Sequence, residues 1–294
     1  MVTMFLLVLS GATIWGVTNI LQRYFFRDRD VSVELMVVAT MLGASVSALV
    51  LQFVLFGVPK VSPLFWQFLV IDALFNVALI FWENKSLEQE DASIVAPILG
   101  ITPIFVILTS WIMLRESPTF WGFVGITVTV FGLYILALKR SDIGNLKSFV
   151  RPWSRLMQSR GVRFALLFAV VASVALNFAK LTVINSSPAM RTFAVFFVVA
   201  VAMLAWSVWR GHWQKLDKSL FIPLFGVGLL IGLSSVLMDW GFVFGIVPYV
   251  AALKRFQIIV TNGLAAIVLH ERENWRFRIT AAVIIVVGIF LIAF

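Results

Sequence analysis

Apolar residues run through this chain in long blocks, each parted from the next by a short polar break. The blocks fall at residues 4–22, 33–56, 64–83, 93–114, 119–138, 163–184, 189–209, 219–240, 247–269 and 275–293. Each is about 20 residues long, the length a helix needs to cross a hydrocarbon core of ~30 Å. A lone segment in lipid must satisfy its own backbone hydrogen bonds, so the pattern predicts ten transmembrane α-helices. The two-residue alternation of a membrane β-barrel is absent. The fold class expected is therefore an all-α integral membrane protein with little chain left for loops.

The pattern is also written twice. Residues 97–137 and 248–292 each begin with a long apolar helix that ends in Leu-x-Glu, as Leu114-Arg115-Glu116 and as Leu269-His270-Glu271. A short turn follows, then a helix carrying a glycine two-thirds along, Gly132 and Gly288. The two glutamates are 271 − 116 = 155 residues apart, and the same offset sets Asp91–Ala96 against Ile246–Ala251. This divides the chain into a first five-helix repeat at 1–138, a connecting loop at 139–162 and a second repeat at 163–294. Five is odd, so the second copy must start from the opposite side of the membrane. Two inverted five-helix repeats are the expected architecture, and such pairs enclose a site near the midplane that opens alternately to either side. The pattern points to transport rather than to an anchor or scaffold.

Composition narrows the reading. Hydrophobic residues make up 61% of the chain and charged residues 13%, more apolar surface than a water-soluble domain of 294 residues hides. The bilayer is thus an obligatory partner, and the cell (plasma or inner) membrane is the expected location. The first apolar run has no basic side chain ahead of it, so it is expected to be a retained span rather than a cleaved signal. The net charge of +9 has a topological pattern unlike a nucleic-acid-binding face. Of the 23 basic residues, Lys254 and Arg255 fall inside a span; Lys60, Arg115, Lys180 and Arg191 fall to one alternate set of loops, and all others to the opposite set. The positive-inside rule puts the richer set in the cytoplasm and both termini outside. There is no cysteine, hence no disulfide and no thiolate metal site.

Ionisable residues within spans are costly and are the first candidates for function. Lys180, near the end of the sixth span, and Lys254 with Arg255, about two turns into the ninth, lie towards the same membrane side and are the candidate substrate-binding cations. An arginine offers a planar fork to a carboxylate or phosphate, and a lysine adds a point charge. Their alternative role is pairing with internal carboxylates, for which Asp72 in the third span and Asp239 in the eighth are the candidates. Either aspartate is read as proton-coupling or charge-balancing. Asn19 and Asn177, at matching places in the first helix of each half, complete the candidate binding set, with a bond to a neighbouring helix as the alternative. Glu116 and Glu271 are expected to serve turns and caps, with Ser117-Pro118 starting the fifth span and Asn274 capping the tenth. Pro97, Pro103 and Pro248 are expected to bend or break the fourth and ninth spans. His-Glu-x-x-His, Gly-x-Ser-x-Gly and the nucleotide-binding Gly-x-x-x-x-Gly-Lys are absent, and His212 and His270 fall in loops. No enzyme activity, cofactor or metal is expected, and transport would run on gradients.

The Leu-x-Glu helix end, the tight turn, Gly125 and Gly132, together with Trp15-Gly16 in the first helix, resemble the EamA-type repeat of the drug/metabolite transporter superfamily. The resemblance covers almost the whole chain. In the second copy Thr280 stands where the first glycine is expected and Gly288 is displaced by one residue. The resemblance implies a secondary transporter, often an exporter of metabolites or amino acids, and cytoplasmic termini, contrary to the charge count. Leu253-Lys254-Arg255 also resembles the basic pair that plastid triose-phosphate/phosphate translocators use on phosphate, and Lys180 stands where those carry another basic ligand. The function expected is an exporter or exchanger of a small organic anion or zwitterion by alternating access, as a monomer with a dimer left open. The alternatives are a multidrug-type exporter of hydrophobic cations and a membrane-embedded enzyme.

Overall fold

A computed structural model describes residues 1–26, 33–90, 92–137, 159–211, 218–268 and 275–294. Asp91, His212, His270, Glu271 and Asn274, and nearly all of the 139–162 connector, lie outside these residues. Every regular element described is helical. In chain order they are α1 (Val2–Phe26), α2 (Val33–Leu51, extended by a π turn, Gln52–Phe56), α3 (Pro63–Gln89), α4 (Ala92–Gly100), α5 (Thr102–Leu114), α6 (Phe120–Ala137), α7 (Arg160–Ile184), α8 (Pro188–Trp209), α9 (Lys218–Phe244), α10 (Val247–Lys254), α11 (Phe256–Val268) and α12 (Trp275–Leu291). Among the described residues, 8 segments are long and apolar enough to cross a membrane, and two shorter apolar helices, Phe120–Leu136 and Arg278–Leu291, complete ten. Each expected span is helical. The fourth and ninth, the two spans expected to bend or break, are each two helices in line, α4 then α5 and α10 then α11.

Burial runs opposite to that of a water-soluble bundle. Large apolar side chains such as Leu6, Val54, Phe120 and Val283 are exposed, while small residues such as Ala44, Ala48, Ala169 and Ala189 are fully buried. Lipid tails are as apolar as leucine, so outward leucines cost nothing and tight helix contact needs small side chains. Trp66, Trp111, Trp121 and Trp209 lie exposed near helix ends, the place of an interfacial aromatic belt.

The chain forms two compact units. The first comprises Met1–Val77, Phe178–Gly245 and Leu253–Glu271. Within it α9 packs on α1 and α2, α2 on α8, and α1 on α11. The α2–α9 seam is the closest: a methyl on Gly228 would lie 3.0 Å from the Gly43 Cα, and one on Gly232 would lie 2.9 Å from the Ala44 Cα. Ala44, Val227 and Ile231 form a core there with Trp15, Met41 and Phe196 against it. The second unit comprises Ala78–Asn177, Ile246–Ala252 and Arg272–Phe294. Within it α6 packs on α4, α5 and α12. The motif glycines explain the last contact: a methyl on Gly125 would lie 2.6 Å from the Gly288 carbonyl oxygen, and one on Gly132 would lie 2.6 Å from the Ile285 side chain. Each unit therefore draws on both halves of the sequence.

Candidate functional site

The first unit buries an ionic network that its own helix ends position. Ser187 caps α8 by accepting a hydrogen bond from the Met190 N–H at 3.0 Å, and Pro188 stands in the first turn, where its missing N–H costs nothing. Ser187 is itself held by a hydrogen bond with the buried Gln52 of the π turn. This fixes the first turn of α8 and with it Arg191, which is only 8% exposed. Arg191 donates to both oxygens of Asp72 on α3, from Nε at 2.8 Å and from Nη2 at 3.0 Å. Its third donor, Nη1, reaches Asp239 Oδ2 on α9 at 2.6 Å. Asn76, one turn beyond Asp72, donates to Asp72 Oδ1 at 2.9 Å, and Thr192 donates to Asp239 Oδ2 at 3.1 Å.

Lys254, the last residue of α10, closes the network. Its ammonium lies 3.1 Å from Asp239 Oδ1 and 4.9 Å from the centroid of the Phe242 ring. Two aspartates face one arginine and one lysine, so the formal charges of the four balance. The network is graded in exposure: Asp72 and Asp239 are closed off, while the Lys254 side chain is 21% exposed. Arg191 belongs to this cluster rather than to a loop, which corrects the charge tally along the chain. The Ser-Pro pair ahead of it was the available signal, because it starts the helix three residues earlier. The burial of two intramembrane aspartates also called for a cation beyond Lys254.

Lys180 on α7 donates to the Gly245 carbonyl, just past the end of α9, at 2.7 Å. Asp239 and Gly245 bracket the last six residues of α9, about 9 Å of helix, so Lys180 and Lys254 are both tied to one end of that helix. Arg255 is the residue at which the ninth span breaks, between α10 and α11. The fourth span breaks at Ile101, within one residue of the repeat mate of Arg255. After each break the next helix opens with a tight i to i+3 turn, Ile104 N–H donating to the Ile101 carbonyl at 2.9 Å and Ile258 N–H to the Arg255 carbonyl at 3.0 Å. Pro103 stands at the start of α5 as expected, but Pro248 stands at the start of α10, seven residues ahead of the break. Its fixed φ suits a first turn, so it initiates the helix instead of interrupting it.

The two asparagines sit in the same arrangement in different units. In the first, Asn19 donates to Thr261 Oγ1 at 3.2 Å and that hydroxyl donates to the Gly16 carbonyl at 3.3 Å. In the second, Asn177 donates to Thr109 Oγ1 at 3.0 Å and that hydroxyl donates to the Ser173 carbonyl at 3.1 Å. Each pair stitches the first helix of one half to the broken span of the other half. Glu116 does a related job in the second unit: its Oε2 accepts from the Val247 N–H at 2.8 Å, at the start of α10, and from Ser110 Oγ at 3.1 Å. It thus caps α10 across the repeat boundary. Thr119, not Ser117, caps α6, accepting from the Gly122 N–H at 3.0 Å, because Ser117 and Pro118 are still in the turn.

A family model for EamA-like transporters matches residues 2–138 and 159–294, one match for each half. The chain belongs to the EamA-like transporter family. It is therefore a multi-pass membrane transporter of the drug/metabolite transporter superfamily, with two repeats. A solved crystal structure 14% identical in sequence superposes with a TM-score of 0.77, over 98% of this chain and 95% of its own length, and shows the shared fold. No curated protein matches the chain. In this chain the turn glutamate Glu116 caps α10, and Gly125 and Gly132 let α6 and α12 meet.

Proposed function

We infer that this EamA protein is a gradient-driven exporter or exchanger of small organic anions or zwitterions, working as a monomer in the cell membrane by alternating access. The observation that carries this reading is Lys254, the partly open end of an otherwise closed ionic network, placed where a spanning helix breaks. Broken helices at matching places in two flipped repeats mark the binding region of many secondary transporters, because backbone freed from the helix lines a polar cavity. Lys254, Arg255 and Lys180 are the proposed contacts for the cargo's anionic group. Asp72 and Asp239 are proposed to balance charge rather than to carry a coupling proton, since both are bound to Arg191. The same engagement weighs against hydrophobic cations as cargo, because a bare cation could reach Asp239 only by displacing Lys254 and leaving that ammonium without a counter-charge. Asn19 and Asn177 are assigned to helix stitching through their threonine partners rather than to the cargo.

The test is reconstitution of the purified chain in proteoliposomes with radiolabelled amino acids, carboxylates and sugar phosphates. Lys254→Ala and Arg255→Ala are each expected to cut transport of the accepted cargo at least tenfold, with the protein still eluting as folded monomer. Unchanged rates in both variants would sink the basic-site assignment, and transport of bulky hydrophobic cations would replace it with the multidrug reading.

A further inference from the structure

Resting on that reading, we propose that the Lys254–Asp239 pair is the specificity element of the site and selects zwitterions: the cargo's carboxylate takes Lys254 while its ammonium takes the place of Lys254 at Asp239. The argument begins with what holds each partner. Asp239 is fixed through its second oxygen, Oδ2, by the Arg191 guanidinium at 2.6 Å and the Thr192 hydroxyl at 3.1 Å. It cannot follow a departing lysine. Lys254 is held by one ion pair and by the face of Phe242, on a flexible four-carbon stem, and its side chain is 21% exposed against 1% for Asp239. Lys254 is therefore the mobile half of the pair and Asp239 the stationary half.

A simple anion has little to gain here. Asp239 already balances the Lys254 charge, so the field that would attract an anion is weak. Drawing Lys254 away would leave Asp239 Oδ1 buried with its cation gone, and a buried charge stripped of its partner is strongly penalised. A cargo that brings its own ammonium removes that penalty. Asp239 Oδ1 and the Phe242 ring together form a cation-binding corner, a carboxylate beside an aromatic face, which Lys254 fills in the absence of cargo. The exchange conserves ion pairs: one lysine–aspartate pair becomes a lysine–carboxylate pair and an ammonium–aspartate pair. An α-amino acid carries both groups on one carbon, a separation short enough to slot between ions now in direct contact.

The experiment measures binding to the purified full-length chain in detergent, read as the ligand-induced rise in melting temperature and titrated to a dissociation constant. The probes are the twenty standard L-amino acids, the same set without the amino group (3-phenylpropanoate for phenylalanine, for example), and inorganic phosphate. Wild type is expected to bind at least one amino acid at least tenfold more tightly than its deaminated carboxylate. Asp239→Asn is expected to lose that preference, weakening the amino acid tenfold or more while leaving the carboxylate equal or tighter. Lys254→Gln keeps Asp239 paired with Arg191 and Thr192; it is expected to weaken both compounds while the matched amine, phenethylamine in the same example, still binds. Equal weakening of amino acid and carboxylate by Asp239→Asn would overturn the proposal and leave Asp239 with a purely structural role. Wild-type binding of carboxylates or phosphate with no preference for amino acids would also overturn it, while the broader anion-transport reading survived. Binding of none of the probes would remove both. If Asp239→Asn does not fold, Lys254→Gln decides: loss of the amine together with the carboxylate would count against the exchange.

Discussion

Arg191 commits three of its five N–H donors, one from each guanidinium nitrogen, to two buried carboxylates, so its side chain decides whether Asp72 and Asp239 can exist as buried ions. Removing one partner of a buried ionic cluster typically costs ~3–5 kcal/mol, more than the whole cluster contributes over a well-packed apolar substitute. Arg191→Ala is accordingly expected to abolish recovery of monodisperse protein from detergent. Arg191→Lys keeps the charge but not the fork, and is expected to fold with a melting temperature lowered by several degrees, since one ammonium cannot hold both aspartates in plane. Fluorescence-detected size exclusion with a thermal ramp measures both; a wild-type melting curve for Arg191→Ala would mean the network is incidental. The sequence made the two aspartates and Lys254 visible, because a charge in an apolar run stands out. It concealed Arg191, which sits one turn inside a helix whose start is marked only by Ser187-Pro188. It equally concealed the pairing, since Asp72 and Arg191 are remote in sequence and no local pattern joins them.

At the scale of elements, the seams depend on what is missing at glycine. Gly228 and Gly226 lie on the same helix, α9, yet their surroundings differ. A methyl at Gly228 would be 3.0 Å from the Gly43 Cα of α2, whereas one at Gly226 would meet nothing within 4 Å. Gly228→Ala is expected to force the α2–α9 seam apart and lower thermal stability in detergent. Gly226→Ala is expected to be neutral or to stabilise by up to ~1 kcal/mol, the propensity difference in a helix interior. Equal effects from the two would argue that the seam is loose. Spans of this kind are legible from hydropathy to within a few residues, since bilayer thickness fixes their length and apolar content their extent. The breaks at Ile101 and Arg255 were less legible. Proline marks a break only where its ring clashes with the preceding turn, and Pro248, placed in a first turn, clashes with nothing.

For the whole molecule, the compact units do not follow the order of the chain: the first takes α1 and α2 from one half and α8, α9 and α11 from the other. A repeat is thus a unit of inheritance in the sequence, while stability is shared between repeats, and neither half holds the complete ionic network, whose Asp72 comes from the first half and whose Arg191, Asp239 and Lys254 come from the second. Assembly of that network needs both halves inserted in the correct sense, which makes orientation a property of the folded whole. Moving Arg191 out of the loop tally leaves Lys60, Arg115 and Lys180 on the poorer side, and Lys180 is itself tied to the Gly245 carbonyl. The remaining asymmetry favours the loop after α8, where Arg210 stands, on the cytoplasmic side, and the loop after α2, where Lys60 stands, on the outside. The chain has no cysteine, so single replacements report without background. In intact cells a membrane-impermeant maleimide is expected to label Lys60→Cys and to leave Arg210→Cys untouched until the membrane is permeabilised. The reverse pattern would place both termini in the cytoplasm, as the family usually has them, and would mean that the internal cations, by pairing within the membrane, have ceased to count towards topology while the loop cations were outweighed during insertion.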